Sequence, residues 1–125
     1  MHLIFDTSIL IDIEKGNEKT LQEIKKLRDL YPAPSKIPFM AYYEFLYGIR
    51  KRNPKNKAKA EALLELFSVL QTTTRTAKNM SQLKDKYEFP LADLLIAAQV
   101  MEANAILVTK DKDFENINEI DKIIL

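Results

Sequence analysis

Apolar positions along this chain form two kinds of pattern, short unbroken runs and longer spaced series, and the two alternate. Leu3-Ile4-Phe5 is a short run ending at Asp6 and predicts a buried strand. Thr7 to Ile13 can start a helix, with Thr7 or Ser8 placed to cap it. From Asn17 to Leu30, the residues Leu21, Ile24, Leu27 and Leu30 recur every three positions among charges, which predicts an amphipathic helix. Tyr31-Pro32-Ala33-Pro34-Ser35 stops it, because proline lacks the amide donor and disfavours helix at the preceding residue. Ile37 to Phe39 predicts a second strand, and Met40 to Ile49 a helix closing near Gly48. Asn53-Pro54 opens another helix, with Ala60, Leu63, Leu64 and Phe67 on one face. Val69 to Thr73 reads as strand or loop, and Thr76 to Lys86 as a helix carrying Ala77, Met80, Leu83 and Tyr87. Pro90 starts a further helix, and Leu91 to Met101 is apolar almost all round, as a helix buried between layers would be. Ala105 to Val108 predicts a strand, and Ile123 to Leu125 a last one. Apolar, non-alternating strands separated by helices predict an α/β domain with a mainly parallel sheet covered on both faces.

Composition narrows the chemistry. A length of 125 residues suits a single domain over 1–125 with one core, and no linker, repeat or low-complexity segment divides it. Formal net charge is +1, so no global field attracts nucleic acid or membrane, and a polyanion would need a local patch or a metal ion. The absence of cysteine excludes disulfides, thiol catalysis and zinc–thiolate sites, and it fits a reducing compartment. The single histidine, His2, leaves no imidazole pair for acid–base work. A metal held by this chain would therefore be bound by oxygens, which points to Mg²⁺ or Mn²⁺. The start Met-His-Leu-Ile-Phe-Asp lacks a basic region followed by an apolar stretch, and no apolar segment approaches the ~20 residues of a membrane span. A cytoplasmic location without membrane attachment is expected.

A few acids stand out against the apolar pattern. Asp6 is the only acid between Met1 and Ile11 and falls at the carboxyl end of the first strand. Glu44 is the only charged residue from Ile37 to Ile49, and Asp93 the only one from Phe89 to Met101. Asp111 lies just beyond the Ile106–Val108 strand, with Asp113 two residues on. A carboxylate carried into a dry interior costs several kcal/mol unless it is compensated. In open parallel sheets, ligands bind beyond the carboxyl ends of the strands, where Asp6 and Asp111 fall. Four converging carboxylates would repel one another and raise each other's pKa, and a hard divalent cation resolves that repulsion. Taken singly, most have another reading. Asp6 serves equally as a helix cap, Asp93 as a first-turn acid favoured by the helix dipole, and Asp111 to Asp113 as an exposed turn. Glu44, in mid-helix, caps nothing.

The runs Phe5-Asp6-Thr7-Ser8-Ile9-Leu10-Ile11, Glu44-Phe45-Leu46-Tyr47-Gly48, Asp93-Leu94-Leu95-Ile96-Ala97-Ala98 and Leu107-Val108-Thr109-Lys110-Asp111-Lys112-Asp113-Phe114 together resemble the PIN domain family. The resemblance is strongest to the VapC-type toxin ribonucleases of prokaryotic toxin–antitoxin pairs. It spans nearly the whole chain and implies a three-layer α/β/α sandwich. It further implies that Asp6, Glu44, Asp93 and Asp111 hold one or two Mg²⁺ or Mn²⁺ ions, with Asp113 a ligand or an outer partner. Thr7, Ser8 and Thr109 would hydrogen-bond the carboxylates or the waters around the metal. The implied activity is metal-assisted hydrolysis of RNA phosphodiesters, leaving a 5′-phosphate and a 3′-hydroxyl. A cognate antitoxin and a homodimer are implied in the same way.

RNA must also be gripped. Arg50, Lys51, Arg52, Lys55, Lys57 and Lys59 crowd the segment after the Glu44 helix, as a phosphate-binding patch or as a solvated charged face. Tyr42, Tyr43 and Tyr47 flank Glu44; one of them is a candidate to stack on a base, and core packing is the expectation for most of them. The resemblance makes the amphipathic Asn17–Leu30 and Asn53–Phe67 helices candidate walls of an antitoxin groove. The main rival is a PIN-like module that binds RNA or protein without cutting, which four intact acids argue against. A phosphoacceptor domain needs adjacent acids at the first strand, where Thr7 follows Asp6. A dehalogenase-like phosphatase needs a second Asp where Ser8 stands.

Overall fold

The computed structural model describes residues 1–125. In chain order the elements are β1 (Leu3–Phe5), α1 (Thr7–Lys15), α2 (Glu18–Leu30), β2 (Lys36–Ile37), α3 (Phe39–Ile49) and α4 (Pro54–Leu64). There follow β3 (Ser68–Val69), α5 (Thr74–Lys86), α6 (Leu91–Ala103), β4 (Ile106–Thr109), a 3₁₀ turn (Lys112–Asn116) and β5 (Asp121–Ile124). Every strand pairing is parallel, and the order across the sheet is β3-β2-β1-β4-β5.

Alternation along the two central strands builds the three layers. Leu3, Phe5, Ile106 and Val108 join the core formed with α1 to α4, including Ile9, Leu10, Phe45 and Leu64. Ile4 and Leu107 point the other way, into a second core with Leu83 of α5, Leu94, Ala97 and Ala98 of α6, and Phe114 and Ile117. All of these strand side chains are buried, so strands of three and four residues read as unbroken apolar runs. Gln99 of α6, itself buried, ties the layers together. It donates to the Leu70 carbonyl at 3.0 Å and accepts from the Phe39 amide at 3.2 Å.

The chain steps from β1 outward to β2 and β3, then returns to place β4 on the other side of β1. That reversal opens a crevice beyond the carboxyl ends of β1 and β4, the usual place for a ligand in such sheets. The paired register Phe5 with Val108 brings Asp6 and Thr109 to the same edge.

Several local boundaries differ from those expected. Of the caps the sequence offers for α1, Asp6 and not Thr7 or Ser8 is the one used, accepting from the Ile9 amide in keeping with its alternative reading as a cap. The second strand is Lys36–Ile37, because Pro38 has no amide to pair and instead serves as the residue before α3. Gly48 lies inside α3, which closes at Arg50. Beyond Val69 the expected strand ends, since Thr73 turns its hydroxyl to the Arg75 and Thr76 amides and caps α5. Gly16 closes α1 at φ 69°, a left-handed conformation that glycine adopts without steric cost. No helix is long and apolar enough to cross a membrane.

Candidate metal centre

Five acids meet around the β1–β4 crevice, each delivered by a different local device. Asp6 leaves β1 as the cap of α1 and is 5 % exposed. Its carboxylate accepts from Ser8 Oγ at 2.6 Å, from the Thr109 hydroxyl and from the Ile9 amide at 3.4 Å. Burial pushes the Asp6 pKa up and the Asp111 charge adds to that, while the Ser8, Thr109 and Ile9 donors oppose it. Thr109 is fully buried, and its hydroxyl oxygen also accepts from the Asp111 amide at 3.0 Å, so one side chain locates two acids.

Asp93 sits in the first turn of α6, where the helix dipole favours its charge. Its pKa is nevertheless raised, first by burial and then by the charges of Asp111, Asp113, Glu44 and Asp6. Asp111 caps the 3₁₀ turn by accepting from the Asp113 amide at 2.9 Å. One oxygen each from Asp93, Asp111 and Asp113 lie within 4.8 Å of one another. Glu44 projects from the middle of α3 and accepts from Thr7 Oγ1 at 2.7 Å.

None of these five acids forms a salt bridge with a lysine or arginine of the chain. Asp6 is buried and Asp93 and Asp111 are partly so, whereas Glu44 and Asp113 are exposed to solvent, against the expectation that Glu44 is carried into the interior. The like charges gathered around Asp93 favour its protonation or the entry of a positive ion. The donor set is all oxygen, which suits a hard divalent cation and not a thiophilic metal. Within the set, Asp113 shares the tightest cluster with Asp93 and Asp111, whereas Asp6 and Glu44 stand outside that trio.

Two residues beside the site escape sequence reasoning. Asp12 is 7 % exposed and accepts from Thr20 Oγ1 at 2.6 Å and from Lys110 Nζ at 3.0 Å. The Thr20 hydroxyl, then the Lys110 ammonium, hold its carboxyl below the ordinary range. Lys110 is thereby paired with Asp12 and not with Asp111 or Asp113, which follow it in sequence, and its amide donates to Ser8 Oγ at 3.1 Å. The signal was present: Asp12 is the lone acid in the apolar run Ile9 to Ile13.

The basic segment divides. Arg52 donates two bonds to Glu14, at 2.5 and 2.9 Å, and so clamps the end of α1. Arg50 lies 3.6 Å over the Tyr47 ring, and Lys51 and Lys55 are exposed and make no salt bridge. Tyr42 packs against the first core, with its hydroxyl on Glu65, but Tyr43 and Tyr47 are exposed, against the expectation of core packing. A cleft of about 720 Å³ opens between the end of α1 and α4, lined by Ile13, Glu14, Arg52, Asn56, Lys59 and Leu63 among others. Its walls come from α1, Arg52 and α4, and no residue of α2 lines it.

An all-parallel sheet between two helical layers, with acids gathered at its switch point, defines an α/β protein built around a carboxylate centre. The PIN domain model matches residues 3–120, and the chain belongs to the PIN domain family. No curated protein matches the sequence. Among solved structures, the fold is similar to VapBC2 from Rickettsia felis bound to a promoter DNA fragment, with TM-score 0.85 and 19% identity over 100% of this chain and 99% of that one. It is similar also to VapBC-1 from nontypeable Haemophilus influenzae, with TM-score 0.81 and 24% identity over 99% and 98%. FitAcB from Neisseria gonorrhoeae aligns with TM-score 0.72 and 18% identity over 97% and 96%.

Proposed function

We propose that this chain is a divalent-metal-dependent endoribonuclease and the toxin of a toxin–antitoxin pair. The observation that carries the reading is the set of acids at the β1–β4 crevice, which the chain leaves without a compensating cation. Asp93, Asp111 and Asp113 would hold Mg²⁺ or Mn²⁺, with Asp6 and Glu44 completing the negative shell. When bound, the ion supplies activation of water and neutralisation of charge on the phosphate oxygens, the needs of phosphodiester hydrolysis. Thr109 and Ser8 orient Asp6, Thr7 orients Glu44, and the Asp111 cap fixes the turn that presents Asp113. Without an imidazole pair or a thiol, the chain has no evident metal-free route to the same chemistry.

RNA as the substrate and an antitoxin as the partner rest on family membership and on the VapBC and FitAcB likenesses. The cleft between α1 and α4, with Ile13 and Leu63 among charged neighbours, suits an amphipathic antitoxin segment. A homodimer belongs to the same reading.

Purified protein should cleave RNA when Mg²⁺ or Mn²⁺ is present and stop on chelation, with new 5′-phosphate ends. Asp93→Asn should lower cleavage by at least about 100-fold, since it removes a charge from the tightest part of the cluster. Cleavage that persists undiminished in Asp93→Asn and Asp6→Asn would defeat this assignment. RNA bound but never cut would favour the non-catalytic binding module.

A further inference from the structure

Resting on the RNA-directed reading above, we infer that Tyr43, Tyr47 and Arg50 form a stacking site for unpaired bases beside the acid cluster. The three occupy one stripe of α3 and its cap, at i, i+4 and i+7. The Tyr43 and Tyr47 rings are stacked, with centroids 6.1 Å apart and planes 28° apart. The Arg50 guanidinium lies 3.6 Å over the Tyr47 ring, held there by its bond to the Tyr47 carbonyl at 2.6 Å. Both tyrosines are about half exposed, at 52% and 53%, and Phe39, one turn before Tyr43, is 52% exposed. Single exposed apolar residues are ordinary, but this is a row of three aromatics ending in a cation.

Continuity with the acid cluster selects the occupant. Glu44 faces the crevice through its bond with Thr7, and Tyr47 lies one turn on at i+3 of the same helix, so the row's Tyr47 end adjoins the carboxylate centre. A strand crossing that centre would meet π faces and a guanidinium on one side, together with the positive charge of Arg50 and Lys51. Every base has a face to stack, and a guanidinium both stacks on bases and attracts phosphate. In a duplex those faces are covered by pairing and stacking, so the row fits single-stranded RNA. A second copy of the chain is the competing occupant. Tyrosine and arginine are common at protein interfaces as well, so what selects RNA is the row's place beside Glu44 and the carboxylate centre.

The test uses the full chain in EDTA with a 12-nucleotide single-stranded RNA containing 2-aminopurine, alongside the same sequence as a duplex. The single strand should bind at least about tenfold more tightly than the duplex and quench the 2-aminopurine. Tyr43→Ala with Tyr47→Ala should weaken single-strand binding about tenfold or more and abolish quenching, whereas Tyr47→Phe retains both. Arg50→Lys, which keeps the charge but not the plane, should lose part of the quenching. Equal binding of single strand and duplex, or full affinity in the double alanine variant, overturns the proposal. Dissociation of a dimer by that variant with RNA binding unchanged overturns it too, and gives the face to a second copy. Cleavage is followed separately, with Mg²⁺ or Mn²⁺, on the unsubstituted protein and on the double alanine variant. Stacking without cleavage defeats the nuclease reading alone, and cleavage indifferent to both tyrosines defeats the stacking site alone.

Discussion

Thr109 at the end of β4 donates its hydroxyl to Asp6 at the end of β1, a bond across 103 residues of chain that joins the two central strands at their carboxyl edge. The same oxygen accepts the Asp111 amide, so Thr109 has both of its roles filled and no exposure to water. A buried carboxylate and a turn beyond the sheet are therefore located by one hydroxyl.

Thr109→Val tests that relationship with little change of shape. The variant removes a donor that favours ionised Asp6 and leaves the Asp111 amide without its partner. It should destabilise the fold by about 1–3 kcal/mol and lower metal-dependent cleavage by ~10–100-fold. Thr109→Ser should restore most of both. Chemical unfolding and cleavage rates give the two readouts, and full activity in the valine variant would remove Thr109 from the site.

A site designed to receive a cation is costly without one. The Asp93 pKa is raised by burial and by the charges of Asp111, Asp113, Glu44 and Asp6, so the folded state binds its proton more tightly than the unfolded chain does. In chelator, this group therefore subtracts stability as pH rises from the ordinary aspartate range through its raised folded value, and adds it back on acidification. Asp93→Asn should raise Tm by a few degrees at neutral pH in EDTA. Mg²⁺ or Mn²⁺ should stabilise the unsubstituted protein and not the variant, by about 2.7 kcal/mol at a hundredfold excess over Kd. A variant less stable than its parent in EDTA would mean that Asp93 has a compensating partner.

The parts of this fold that could be read in advance were those whose pattern reflects complete burial. β1 and β4 lie in the middle of the sheet, and their apolar runs leave one interpretation. The two-residue strands β2 and β3 are too short for any period, and their pairing is decided by neighbours that lie far away in sequence. The acids follow the same division. Asp6, Glu44 and Asp93 are visible because each is alone in an apolar run. Asp113 sits among Lys110, Asp111, Lys112 and Glu115, where every acid looks solvated, and only the Asp111 cap on the 3₁₀ turn brings it to Asp93. The exposure of Tyr43 and Tyr47 was hidden because α3 carries almost no polar residues to mark its outer face.

Asp12 should make an acid-labile contribution of the opposite sign to that of Asp93. Thr20 and Lys110 hold its carboxyl below the ordinary value, so the unfolded chain binds the proton more readily. The stabilisation is complete above the ordinary aspartate pKa of about 3.9 and is lost as pH falls from there through the lower folded value. Asp12→Asn keeps an acceptor for Thr20 but loses the charge that anchors Lys110. It should cost about 1–2 kcal/mol at neutral pH, discounted for the half-exposed Lys110. Urea unfolding at pH 7, 5, 4 and 3 should show the gap closing below about pH 4; a gap independent of pH would contradict the pairing.

The basic segment should separate into a structural arginine and two free lysines. Arg52 has both terminal nitrogens on Glu14, so it has little left to offer a phosphate. Lys51 and Lys55 are exposed and make no salt bridge, and each can release a counterion on meeting the RNA backbone. Replacing both lysines with alanine should flatten the plot of log affinity against log salt by about 1.4, since a single strand contributes ~0.7 per phosphate contact. The loss should be nearly the same for every RNA sequence, because these are contacts to phosphate and not to bases. Arg52→Ala should leave that slope intact and lower Tm slightly instead, since solvent screens a pair this exposed. Should Arg52→Ala flatten the slope as much as the double lysine variant, the Glu14 pair must open when RNA binds, and the segment would act as one patch.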